Sequence, residues 1–101
     1  MNANDAVETV RAELVEKGGL LYKIALNNGI DRDAFQKLKA AMLFLADYYS
    51  GKSEIPKSLA SAFIDLTPLF ERSIDRYSED QQFEIEDIRN EIVSLAEDIF
   101  S

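Results

Sequence analysis

Residues 78–101 read SEDQQFEIEDIRNEIVSLAEDIFS, and this stretch decides the fold class. Ile85, Ile88, Ile92, Leu95 and Ile99 recur at spacings of 3, 4, 3 and 4. That period places them on one stripe of an α-helix, whereas a strand would alternate every second residue. Ser78 followed three residues later by Gln81 makes a capping box and marks where the helix opens. The same stretch holds eight acids against one base, Arg89, so it carries −7 of the formal net charge of −8. A helix over 79–100 therefore offers an apolar stripe to a core and carboxylates to its surroundings. The rest of the chain is close to neutral.

Working upstream, the pattern repeats. Phe35, Leu38, Met42, Leu45 and Tyr49 keep the 3, 4, 3, 4 spacing. With Asp31 as N-cap and Ser50-Gly51 as the stop, they predict a helix over 31–50. Val7, Val10, Leu14, Leu21 and Ile24 hold helical phase until Asn27-Asn28-Gly29, a left-handed stop. Asp5 with Glu8 resembles a capping box at the start of this segment. Gly18-Gly19 interrupts it at a cost of roughly 1 kcal/mol per glycine. Leu14 and Leu21 nevertheless stay in phase across the pair, which predicts one helix over 5–28, kinked at the glycines, rather than two short ones.

A third helix is predicted over 56–77. Pro56 suits its first turn, and Leu59, Phe63, Leu66, Phe70, Ile74 and Tyr77 form its stripe. Pro68 lies inside that stripe and removes a backbone hydrogen bond, so a kink is expected over 64–67, with a break into two helices as the competing outcome. Four helices with short links make an all-α, up-down antiparallel four-helix bundle the default architecture, as a single domain over 1–101.

Composition removes several function classes. There is no histidine and no cysteine, hence no imidazole base, no soft metal ligand and no thiol nucleophile. A pI near 4.4 disfavours nucleic acid and anionic membrane surfaces, which need an excess of lysine and arginine. The first ten residues carry two acids and no basic or apolar leader region, so no signal peptide is read there. The longest apolar run, 40–46, falls far short of the ~20 residues that span a bilayer. A cytoplasmic protein with no cofactor, no nucleic-acid partner and no membrane partner is expected.

Several residues invite a functional reading. Gly51-Lys52-Ser53 resembles the tail of a phosphate-binding loop, but the glycine required five residues earlier is Ala46, and a helical pattern precedes it instead of a strand. Glu84, Asp87 and Glu91 have helical spacing that a magnesium-type site uses, yet no partner motif stands on another helix. Glu79 and Asp80 fall in the first turn of their helix, where the dipole favours negative charge. Glu97 and Asp98 fall in the last turn, where it disfavours them by ~0.3–1 kcal/mol each. Helix stability does not explain this C-terminal pair; solubility or a cationic partner does, and with Glu86 and Asp87 the pair makes up the expected acidic face.

Apolar side chains give a second signal. Met42, Leu45 and Tyr49 occupy the seam of the 31–50 helix, so Leu43, Phe44 and Tyr48 need other cover. Val93 and Phe100 share a helical position off the main seam of the last helix. These five predict an interface, either in a homodimer or with another protein. The expected function is a non-catalytic protein acting through protein–protein interaction, of regulatory, adaptor or inhibitor/immunity type, self-associating and suited to a basic protein partner. The alternative is a metal-dependent helical hydrolase using Glu84, Asp87 and Glu91.

Overall fold

A computed structural model of the chain describes residues 1–64 and 74–101. They form α1 (Ala3–Leu14), α2 (Leu20–Ala25), α3 (Arg32–Tyr48), α4 (Lys57–Ser61), a 3-10 turn (Ile74–Arg76) and α5 (Glu79–Phe100). The fold is all-helical, with no strand among the described residues. Among them no helix is long and apolar enough to cross a membrane. The kink expected at Pro68 lies outside the described residues.

Helices α3 and α5 follow the sequence pattern closely, because caps and stripes agree. Ser78 Oγ accepts from Gln81 N at 3.3 Å while the Gln81 side chain accepts from Ser78 N at 3.4 Å, completing the capping box. Asp31 caps α3, its Oδ1 accepting from Ala34 N at 3.0 Å. The other oxygen takes a 2.6 Å bond from Lys23 Nζ on α2. The Lys23 hydrogen bond, with the Ala34 N–H behind it, holds the Asp31 carboxyl below its ordinary pKa. The Asp31 hydrogen bond correspondingly raises that of Lys23. The predicted seams are buried apart from Phe35, which is only partly so: Leu38, Met42 and Leu45 on α3 with Tyr49 at its C-cap, and Ile85, Ile88, Ile92, Leu95 and Ile99 on α5.

The segment expected as one helix over 5–28 is instead two. α1 opens earlier, with Asn2 in place of Asp5 as cap, its Oδ1 accepting from Asp5 N at 2.9 Å. It ends at Leu14, and the chain turns through 15–19. Gly19 is extended (φ −84°, ψ 176°) and lies against the α1 backbone: a Cβ there would stand 2.0 Å from Ala12 O and 2.8 Å from Glu13 Cα. A residue without a Cβ is what that approach requires. Glu13 Oε1 then accepts from Leu20 N at 2.9 Å and satisfies one free donor at the start of α2. Leu14, Leu21 and Ile24 are all buried. The phase that argued for continuity reflects two helices facing one core. The stop after α2 is as read, with Asn27 at φ +61° and Gly29 at φ +92°.

The continuous helix expected over 56–77 also fails to form. Pro56 is the N-cap and α4 ends at Ser61. In a continuing helix Ala62 N would bond to Ser58 O. That carbonyl is already taken by Arg11 Nη1 at 2.6 Å and by Ser61 Oγ at 3.1 Å. Ala62, Phe63 and Ile64 donate three residues back instead, to Leu59, Ala60 and Ser61, so the chain tightens and leaves the α-helix. Among the described residues, the third helix of the expected bundle is little more than one turn long.

Helix α3 is central and packs on both α1 and α5. Residues Met1–Asn4 share a cleft with Phe44 and Tyr48, so the start of α1 meets the end of α3 and the two run antiparallel. Arg32 pairs with Glu84 at 2.6 Å and Lys39 with Glu91 at 3.1 Å. One heptad separates the members on each helix, so α3 and α5 run parallel. In an up-down bundle these two would lie diagonally across; here they are neighbours. Tyr77, buried, fastens the start of α5: its hydroxyl donates to Ile24 O at 2.7 Å and accepts from Gly29 N at 3.3 Å.

Candidate functional site

The carboxylates of α5 divide into two sets. In heptad terms Ile85, Ile88, Ile92, Leu95 and Ile99 take the a and d positions, which puts Glu84 and Glu91 at g. Arg32 and Lys39 hold the matching e positions of α3, the pairing that parallel coiled coils use to set register. Arg32 grips Glu84 with two hydrogen bonds, Nε to Oε2 at 2.7 Å and Nη2 to Oε1 at 2.6 Å. The second set is Glu79, Asp80, Glu86, Asp87, Glu97 and Asp98. All six are exposed. Among the described residues the ion pairs are Lys23–Asp31, Arg32–Glu84 and Lys39–Glu91, and none involves this set.

Phe83 stands within that outer set and is 58% exposed. Its neighbours one turn before and one turn after are Glu79, Asp80, Glu86 and Asp87, all on the same face of the helix. Phe83 is not among the residues singled out from the sequence. The signal was present, since two positions before Ile85 is the f position, farthest from the core.

The metal reading meets a specific obstacle. Of Glu84, Asp87 and Glu91, the first and last are held by Arg32 and Lys39, and Asp87 faces outward. Asp47, on α3, is exposed as well. No group of three or more acids converges on a metal-sized site among the described residues. The Gly51-Lys52-Ser53 stretch is a helix stop: Gly51 adopts φ +75°, Lys52 N donates to Tyr49 O at 3.0 Å, and Lys52 Nζ lies 3.4 Å from the Tyr48 ring centroid.

The five predicted interface residues fall on three separate edges. Phe44, half-buried, stacks on Tyr48 at 6.1 Å, and both line an open cleft of about 400 Å³ with Met1–Asn4. Leu43 is 53% exposed and lies one turn beyond Lys39, on the flank of α3 that borders α5. Val93 and Phe100 occupy the edge of α5 away from its ion pairs, with Phe100 edge-on to Phe63 at 5.8 Å. The expected acidic residues stand on the outward side of α5 as two pairs, Glu86 with Asp87 and Glu97 with Asp98, separated by exposed Asn90, Val93 and Ser94. The chain matches no family model, no curated protein and no solved structure.

Proposed function

We propose that this protein is a non-catalytic interaction protein of the cytoplasm, of regulatory, adaptor or inhibitor/immunity type, which binds a basic protein partner through the outer face of α5. The sorting of the α5 carboxylates carries this reading. Where a carboxylate flanks the seam with α3, a cation of that helix pairs with it. Six others stand outward and enter no ion pair among the described residues, two in the last turn against the helix dipole. Such a one-signed face steers an oppositely charged protein and speeds its docking.

Self-association through the exposed side chains of Leu43, Tyr48, Val93 and Phe100, with half-buried Phe44, belongs to the same proposal. Sedimentation over a concentration series is expected to show a dimer at micromolar concentration that Phe44→Glu or Phe100→Glu weakens; a monomer throughout would remove this part. For the charge-based part the probe is poly-lysine. Its affinity should fall at least tenfold between 50 and 300 mM salt. Undiminished binding by the variant carrying Glu86→Gln, Asp87→Asn, Glu97→Gln and Asp98→Asn would overturn it.

A further inference from the structure

Charge alone does not account for Phe83. A face kept acidic for solubility gains nothing from a benzyl group at its outermost position, more than half open to water. The four carboxylates around it lie within about 6 Å along the helix axis, one turn in each direction. An occupant that covered the ring with apolar surface alone would strip water from those carboxylates without repaying the loss. A small cation would leave the ring exposed. What fits both is a chain segment with an apolar side chain in the middle and ammonium or guanidinium groups one turn to either side.

Resting on the basic-partner reading above, we infer that the first three turns of α5 are a docking surface for a cationic amphipathic helix of another protein. An apolar side chain of that helix covers Phe83, and its Lys or Arg residues meet Glu79, Asp80, Glu86 and Asp87. The charge pattern selects this occupant. A nucleic acid or an anionic membrane would bring phosphate against four carboxylates. The aromatic ring adds to the match, since a cation passing over it is attracted to its face. This molecule already uses that contact between Lys39 and Phe35, at 5.9 Å.

The test uses the full chain and a synthetic 14-residue peptide of leucine and lysine at helical spacing. One control peptide replaces every leucine by serine, and another replaces every lysine by glutamine. In 50 mM salt the Leu/Lys peptide should bind at least tenfold more tightly than either control. Phe83→Ala should weaken it by about ten- to thirtyfold, the range of an anchor at the centre of an interface. Phe83→Leu should keep most of the affinity. Because the ring is exposed, both variants should melt as the parent does. Amide chemical-shift mapping of the unsubstituted protein reads the site independently, and the largest changes should fall within 79–87.

Equal binding by the Leu/Gln peptide would overturn the role of the carboxylates. Salt-sensitive binding that ignores Phe83→Ala, or that maps elsewhere, would overturn the site yet leave the basic-partner reading standing. Failure of both lysine peptides to bind would overturn both. A dimer that dissociates on Phe83→Ala would make a second copy the occupant and overturn the inference.

Discussion

Gly19 and Gly18 are adjacent in sequence and should respond oppositely to the same substitution. At Gly19 a methyl group would stand 2.0 Å from Ala12 O, 2.8 Å from Glu13 Cα and 2.9 Å from Ala12 C. All three are backbone atoms of α1, so no side chain can rotate away and α2 must move as a body. Overpacking of this kind costs about 1–3 kcal/mol, and a clash with backbone belongs at the upper end. Loss of glycine's freedom in the unfolded chain returns ~0.4–1 kcal/mol. The net cost of Gly19→Ala is therefore about 2 kcal/mol. At Gly18 nothing lies within 4 Å and φ is not left-handed, so Gly18→Ala keeps only the gain of ~0.4–1 kcal/mol. Urea denaturation of the two variants should thus differ by roughly 3 kcal/mol, or at least ~12 °C in Tm for a domain of this size. Equal stabilities would refute the close approach of the 15–19 turn to α1, and with it the division of α1 from α2.

Tyr77→Phe removes a hydrogen bond at a buried site, while Ile24 O keeps a second bond from Asn27 N. A loss of about 0.5–1.5 kcal/mol is expected from the urea midpoint, together with faster amide exchange at Gly29. An unchanged Gly29 would contradict the tether. Asp31 has a lowered pKa, so its contribution is present above the ordinary carboxylate range and is lost as pH falls through the folded value. A carbon-detected titration should place its midpoint below that of a free aspartate, and Lys23→Gln should raise it, leaving the smaller depression due to Ala34 N–H. A midpoint indifferent to Lys23 would show that the 2.6 Å bond does not persist in solution.

Where local signals and packing agree, the elements were legible. Ser78–Gln81 and Asp31 mark real caps, and the isoleucine rungs of α5 are the buried ones. The glycine pair misled because hydrophobic phase records which core a residue faces and is silent on whether the backbone between is helical. The close contact of Gly19 with Ala12 is tertiary, and no spacing encodes it. The early end of α4 has the same origin, in Arg11 reaching the Ser58 carbonyl from another helix. The register of α3 against α5 was written in the sequence, in two basic and two acidic residues each seven apart. It becomes visible only when the positions flanking both seams are read together, because neither helix alone shows which neighbour its charges meet. The outer acids were legible from a charge count, whereas Phe83 was hidden inside it.

The parallel course of α3 and α5 bears on how the molecule assembles. Neighbouring antiparallel helices zip from the turn that joins them, so α1, α2 and α3 can build on short loops. Parallel neighbours have no such starting point: Arg32 and Glu84 are 52 residues apart, and so are Lys39 and Glu91. The first contact across that seam carries the entropy of a long loop closure before any later one can follow. Docking of α5 is therefore expected to come late in folding, and its release would uncover a row of isoleucines.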